Sequence, residues 1–198
     1  MAYIGMRSPI FAPITTPRVD GSAIEYDTPI VLGPAVSANV TFDIADNPDY
    51  GDDVVIDNDN GVNGFSMTAE LNDISKEGRA ACLGWKPVTG TGSTIVEYDI
   101  TDATPPEGGF AYIRVKMFRG VRKYEAFFVH AIKFSSGGEN ASTKQKQITW
   151  NHPTINGQGL GVYIDDSGEA KYIKWMEFSD FDDAMDWIYE KFGATRPT

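Results

Sequence analysis

The chain has 198 residues, 41% hydrophobic and 12% aromatic, enough apolar mass for one packed domain and too much for a disordered chain. A net charge of −11, from 28 acidic and 17 basic residues, argues against a surface built to grip phosphates, which needs a basic face. The lone Cys82 excludes an intramolecular disulfide or a cysteine zinc site, and no apolar run approaches the ~20 residues that span a bilayer, so membrane insertion is not expected.

The opening Met1-Ala2-Tyr3-Ile4-Gly5-Met6-Arg7 lacks the basic-then-apolar pattern of a secretory leader. Residues 1 to 35 carry Pro9, Pro13, Pro17, Pro29 and Pro34 around short apolar stretches, which predicts an arm of edge strands reaching outward. From Ser37 to Ile44, Ala38, Val40, Phe42 and Ile44 alternate with polar residues, the period of a half-buried strand. Residues 45 to 64 hold Asp46, Asp49, Asp52, Asp53, Asp57 and Asp59 with Pro48 and three glycines, interrupted by Val54-Val55-Ile56; this predicts a long acidic loop. Phe65 to Leu71 alternates again and returns the chain antiparallel.

Asp73 or Ser75 is placed to cap a short helix that Gly84 ends, with Ile74, Ala81 and Cys82 inward. Thr94 to Ile100 reads as a strand. The clearest element is a hairpin, Phe110 to Arg119, Gly120, then Val121 to Phe134, two aromatic and β-branched runs around a turn glycine. Gln145 to Trp150 restarts a strand that continues past Pro153 towards Leu160 and Tyr163. Asp165 to Gly168 marks a turn before the strand Ala170 to Phe178. Phe181, Ala184, Met185, Ile188 and Phe192 share one face of a closing helix capped by Ser179 and stopped by Gly193.

Nothing in the sequence assembles a reaction centre. His130 and His152 lack a second ligand at metal spacing, and no nucleophile elbow or paired cysteine motif is present. Asp57-Asn58-Asp59-Asn60-Gly61 misses the calcium-loop pattern because Val62 stands where that pattern needs glycine. Gly157, Gly159 and Gly161 read as a glycine-loosened strand or turn. No catalytic residue, cofactor or metal is expected. The charges, however, are segregated: Arg114, Lys116, Arg119, Arg122 and Lys123 lie in the central hairpin, while Asp52, Asp53, Asp57 and Asp59 lie in the acidic stretch. Two solvated faces, or a head-to-tail contact between copies, would each produce this. Trp85, Trp150, Trp175 and Trp187 keep open a glycan-binding β-sandwich with stacking platforms.

Four segments together resemble the major tail proteins of siphophages, chiefly those infecting Gram-positive bacteria. They are Tyr3 to Ile14, Gly64 to Ser75 leading to Leu83-Gly84, Gly120-Val121-Arg122-Lys123-Tyr124-Glu125-Ala126, and Phe181 to Gly193. The resemblance covers most of the chain and rests on the order and spacing of these pieces. It implies one mainly β tail-tube domain over residues 1–198: two packed antiparallel β-sheets in a sandwich or barrel-like arrangement, one short internal helix and a C-terminal helix. It also implies rings, usually of six subunits, stacked into a hollow tube around a tape-measure protein and closed by tail terminator and distal tail proteins. Genomic DNA would pass through the lumen without specific binding. Assembly would take place in the bacterial host cytoplasm, and the product would belong to the virion tail. A terminator or a contractile-type inner tube is the neighbouring expectation.

Overall fold

Strands with one buried face alternate apolar and polar residues, and that alternation decides most of this chain. The computed structural model describes residues 2–16, 23–59, 61–89, 96–100, 103–138, 151–163 and 169–197. In chain order the elements are β1 (Ala2–Pro13), β2 (Ile30–Val31), β3 (Ala35–Ile44), β4 (Asn47–Gly51), β5 (Val54–Asp59), β6 (Val62–Leu71), α1 (Lys76–Leu83), β7 (Lys86–Thr89), β8 (Val96–Asp99), β9 (Glu107–Phe118), β10 (Val121–Ser136), β11 (Thr154–Gly159), β12 (Ile173–Phe178) and α2 (Phe181–Lys191). The protein is mainly β, with two helices among the described residues, and all its named ladders are antiparallel.

One continuous eight-stranded sheet runs β2-β1-β9-β10-β11-β6-β3, with β12 also paired to β10. The two layers expected as separate sheets are thus the two halves of a single sheet. The sixteen-residue β10 makes this possible. Its first half pairs with β12 and its second half with β11, so the sheet divides along that edge and folds over. Between Val129 and Ile132 a bulge shifts the register and reverses the alternation. Ile132 and Phe134 therefore join Phe127 and Val129 in the inner core, with Phe65, Met67, Leu71, Phe110 and Ile155 from the other strands.

The opposite face of β1, β9 and β10 carries Ile10, Ala111, Ile113, Ala126 and Phe128 and is covered by Ala184, Met185, Ile188 and Phe192 of α2. Asp180, not Ser179, caps that helix, its carboxylate accepting from the Asp182 N–H at 2.7 Å. A carboxylate also complements the helix dipole, which a neutral hydroxyl does not. α1 is capped by Ser75, whose hydroxyl accepts from the Gly78 N–H, and ends at Gly84 in the left-handed region. Ile74, Cys82 and Leu83 join the inner core.

Residues 2–13, expected as the start of an outward arm, form β1, paired along its length with β9. Ile10, Phe11 and Ala12 are fully buried. The prolines misdirect because β1 is nearly an edge strand: β2 covers it only at Ile10 and Phe11, and Pro9 falls in the register shift between Arg7 and Ile10. Both are places where a sheet tolerates proline. The acidic stretch is not a loop either but a hairpin, β4–β5, turned by Asp52 and Asp53 with φ of 49° and 64°. Two positive φ values suit a tight hairpin turn, and aspartate tolerates them better than most residues. β7, absent from the expectations, pairs with β8. The expected strand Gln145 to Trp150 and the turn Asp165 to Gly168 lie outside the described residues.

Candidate subunit interface

The basic set and the acidic set sit on different hairpins. Arg119 and Gly120 form the tight turn of β9–β10, with φ of 49° and 80°, which aligns Lys116 with Lys123 and Arg114 with Glu125. Two lysines directly opposite destabilise a sheet, and here carboxylates from the adjoining rows neutralise them. Lys116 pairs with Glu125 and with Glu177 at 3.5 Å, Lys123 with Glu177 at 2.6 Å, and Arg114 with Glu125. Glu125 is 2% exposed. Burial alone would push the Lys116 ammonium down, but the hydrogen bond and charge of Glu125 outweigh it and hold the group above its usual value. The hydrogen bond from Lys123 leads in holding the Glu177 carboxyl below its own. Tyr3 closes the network: its hydroxyl donates to Glu125 at 3.4 Å, and its ring lies under Arg114 at 5.0 Å and Lys116 at 5.3 Å.

Arg114, Lys116 and Lys123 are therefore committed within the subunit, and a partner's carboxylates would have to displace Glu125 or Glu177 to reach them. Arg119 and Arg122 remain exposed at the hairpin tip, Arg119 stacked on Phe118 at 5.3 Å. Met117, Phe118 and Val121 are exposed around them. On the acidic side, Asp52, Asp53 and Asp57 are exposed, and Asp59 ends β5 opposite Asn47. No ion pair joins the two sets among the described residues. Counting outward from the turn puts Glu125 opposite Arg114, so that pair is readable from sequence. Glu177 is not, because the register of β12 against β10 is set by long-range packing.

The acidic hairpin also carries an apolar load that its aspartates obscure. Tyr50, Val54, Val55 and Ile56 are 65%, 64%, 49% and 71% exposed, and β4–β5 is a two-stranded sheet separate from the main one. An isolated hairpin is marginally stable in water, and burying each such side chain against a partner gains about 1.5 kcal/mol or more. Between Arg18 and Lys76 the sequence has no lysine, arginine or histidine, so no basic residue of the hairpin's own segment offsets its acids. Among the described residues, β3, ten residues long, pairs on one side only, with β6. Val36, Phe42 and Ile44 along it are exposed. An open, apolar edge of this length is a template for another chain.

The chain matches no protein-family model and no curated protein. Among the described residues, no group of His, Cys, Asp and Glu is arranged to hold a metal ion, and no helix is long and apolar enough to cross a membrane. Burial pushes the Cys82 thiol up to about 12, which keeps it protonated and unreactive. The described tryptophans have separate surroundings: Trp85 lies under Arg79 at 5.2 Å, Trp187 packs on Phe128 and Phe178, and the exposed Trp175 faces Lys116 at 5.7 Å. Trp150 is outside the described residues.

A second surface has a different chemistry. On the outward face of the folded-over half, Asn39, Thr68, Asn156 and Ser135 form one cross-strand row, and Thr41, Ser66, Gln158 and Lys133 the next. The Thr68 hydroxyl donates to Asn156 at 3.0 Å, and the Ser37 hydroxyl to Glu70 at 3.1 Å. Hydroxyls and amides dominate this face, with only scattered charges.

Proposed function

We propose that this chain is the structural subunit of a bacteriophage tail tube, polymerising as stacked, hexameric rings into a hollow conduit for genomic DNA. The observation that carries the self-assembly is the β4–β5 hairpin, which projects apolar and acidic side chains into solvent with no core of its own. Together with the open β3 edge, it gives each subunit donor and acceptor surfaces in different places. Such heterologous contacts close into rings or run on as filaments. The resemblance of the four segments to siphophage major tail proteins supplies the particular assembly. On this reading the tape-measure protein occupies the tube during assembly, terminator and distal tail proteins bound its ends, and DNA later passes without being held. The hydroxyl and amide face supports that last role, since releasing DNA requires few cations on the lumen wall. The subunit acts by packing and catalyses no reaction.

Negative-stain microscopy of the purified protein at high concentration tests this: rings or tubes are expected, and a strictly monomeric species would overturn it. Asp52→Asn, Asp53→Asn and Asp57→Asn combined keep side chains that tolerate the turn while removing three charges. Circular dichroism is expected to report an unchanged fold and microscopy fewer polymers. Normal polymers from this variant would take the acidic hairpin out of the interface.

A further inference from the structure

The path of the main sheet has two unfinished ends, and they border one cleft. β2 pairs only with Ile10 and Phe11, so from Tyr3 to Arg7 the strand β1 has, among the described residues, a partner on one side alone. Among the described residues, β3 has a partner on one side only along its whole length. The folded sheet brings both to a cleft of about 390 Å³. Consecutive residues Val36 to Val40 line it; because successive side chains alternate in direction, the backbone edge itself borders the opening, not merely one face. Met6 and Phe42 add apolar walls, and Arg114 lies in the floor. The Arg114 Nε is buried and has no hydrogen-bond partner.

We infer that this cleft receives the β4–β5 hairpin of a second copy, which adds by its edge to β3 and lays Tyr50 and Val55 across the opening. The inference rests on the self-assembly reading above and names its contact. Charge favours this occupant: the hairpin's acids have no basic residue between Arg18 and Lys76 to compensate them, and the cluster that reaches the cleft floor through Arg114 sets three cations, Arg114, Lys116 and Lys123, against two carboxylates, Glu125 and Glu177, leaving one positive charge in excess with both carboxylates in place. Shape favours it as well, since the exposed β-branched side chains of the hairpin meet apolar walls, and an unpaired strand edge meets an unpaired strand edge. A subunit cannot serve itself. Its own hairpin springs from the ends of β3 and β6, just beyond Ile44 and Val62, where the Ala45 N–H donates to the Gly61 carbonyl at 2.7 Å. Val36 lies at the far end of β3, roughly 25 Å away at the rise of a strand.

The test mixes two single variants, Val36→Cys and Val55→Cys, under conditions where wild-type protein polymerises, and adds a short bis-maleimide. Cys82, fully buried, supplies no competing thiol. The mixture is expected to give a clear band at twice the monomer mass on a denaturing gel, and either variant alone to stay monomeric. Polymers without the mixed crosslink would overturn the cleft assignment and leave the tube reading standing. Val36→Cys linking to itself would replace it with a symmetric pairing of two β3 edges. A wild-type protein that never polymerises would instead remove the tube reading, and this contact with it.

Discussion

His130 is a strand residue of β10, as its sequence position implies, but its surroundings make it a sensor of acid. Its ring meets Phe128 edge-on at 5.4 Å, its backbone N–H donates to the Tyr172 carbonyl, and its backbone carbonyl accepts from the Tyr26 hydroxyl at 2.9 Å. Burial, aided by the Lys174 ammonium, pushes its imidazole down from 6.5 to about 4. The folded chain thus keeps this group neutral where the unfolded chain binds a proton. The stabilisation is complete above pH 6.5 and is lost progressively as pH falls towards 4. Between pH 7.5 and 5 the loss is about 2 kcal/mol. Urea midpoints of wild type and His130→Gln at the two pH values check it: wild type is expected to lose that much more than the variant. Equal slopes would show that the imidazole titrates normally. Nothing in the sequence around His130 discloses this, because the packing around it is long-range: Tyr26, whose hydroxyl bonds its backbone carbonyl, is 104 residues away.

Elements declared by their own residues were legible, and those decided by distant packing were not. β9–β10 announces itself through two strand-forming runs and a two-residue turn, and α2 through an apolar face with acids at its start. β1 misleads because proline reports only that a strand has a free side or a bulge, and both hold within a strand whose inner residues are fully buried. The acidic hairpin misleads in the opposite direction: six aspartates read as loop, yet Val54, Val55 and Ile56 supply the β-branched strand and Asp52-Asp53 the turn.

The glycines of β11 show what else a sequence withholds. Read alone, Gly157 and Gly159 loosen a strand. In the fold, a β-carbon on Gly159 would overlap the Phe65 ring, and one on Gly157 would overlap Ile132 and Phe134. These glycines make room for the aromatic core. Gly159→Ala is expected to cost about 1–3 kcal/mol by overpacking, read as a lowered urea midpoint. Gly64→Ala, where nothing lies within 4 Å of the added carbon, is the control that should change little. Equal effects at the two positions would refute the packing role of Gly159.

At the scale of the whole molecule, the surfaces divide by chemistry. The α2 side is sealed by its own helix, the hairpins and the β3 edge present unsatisfied apolar groups, and the face built from Asn39, Thr68, Asn156 and Ser135 offers hydroxyls and amides. Composition shows the negative balance but not this division, which needs the register of four strands. A surface meant to dock would be enriched in aromatic and apolar groups at its centre. This one is not, and it suits a wall past which a polyanion slides. Thr68→Lys, Asn156→Lys and Gln158→Lys together would leave the buried faces of β6 and β11 and the β3 edge untouched, so the subunit is expected to fold and polymerise as before. The polymers should then retain double-stranded DNA at low salt and release it as salt rises, whereas wild-type polymers retain none. Loss of polymers from a folded variant would instead assign this face to a contact between subunits.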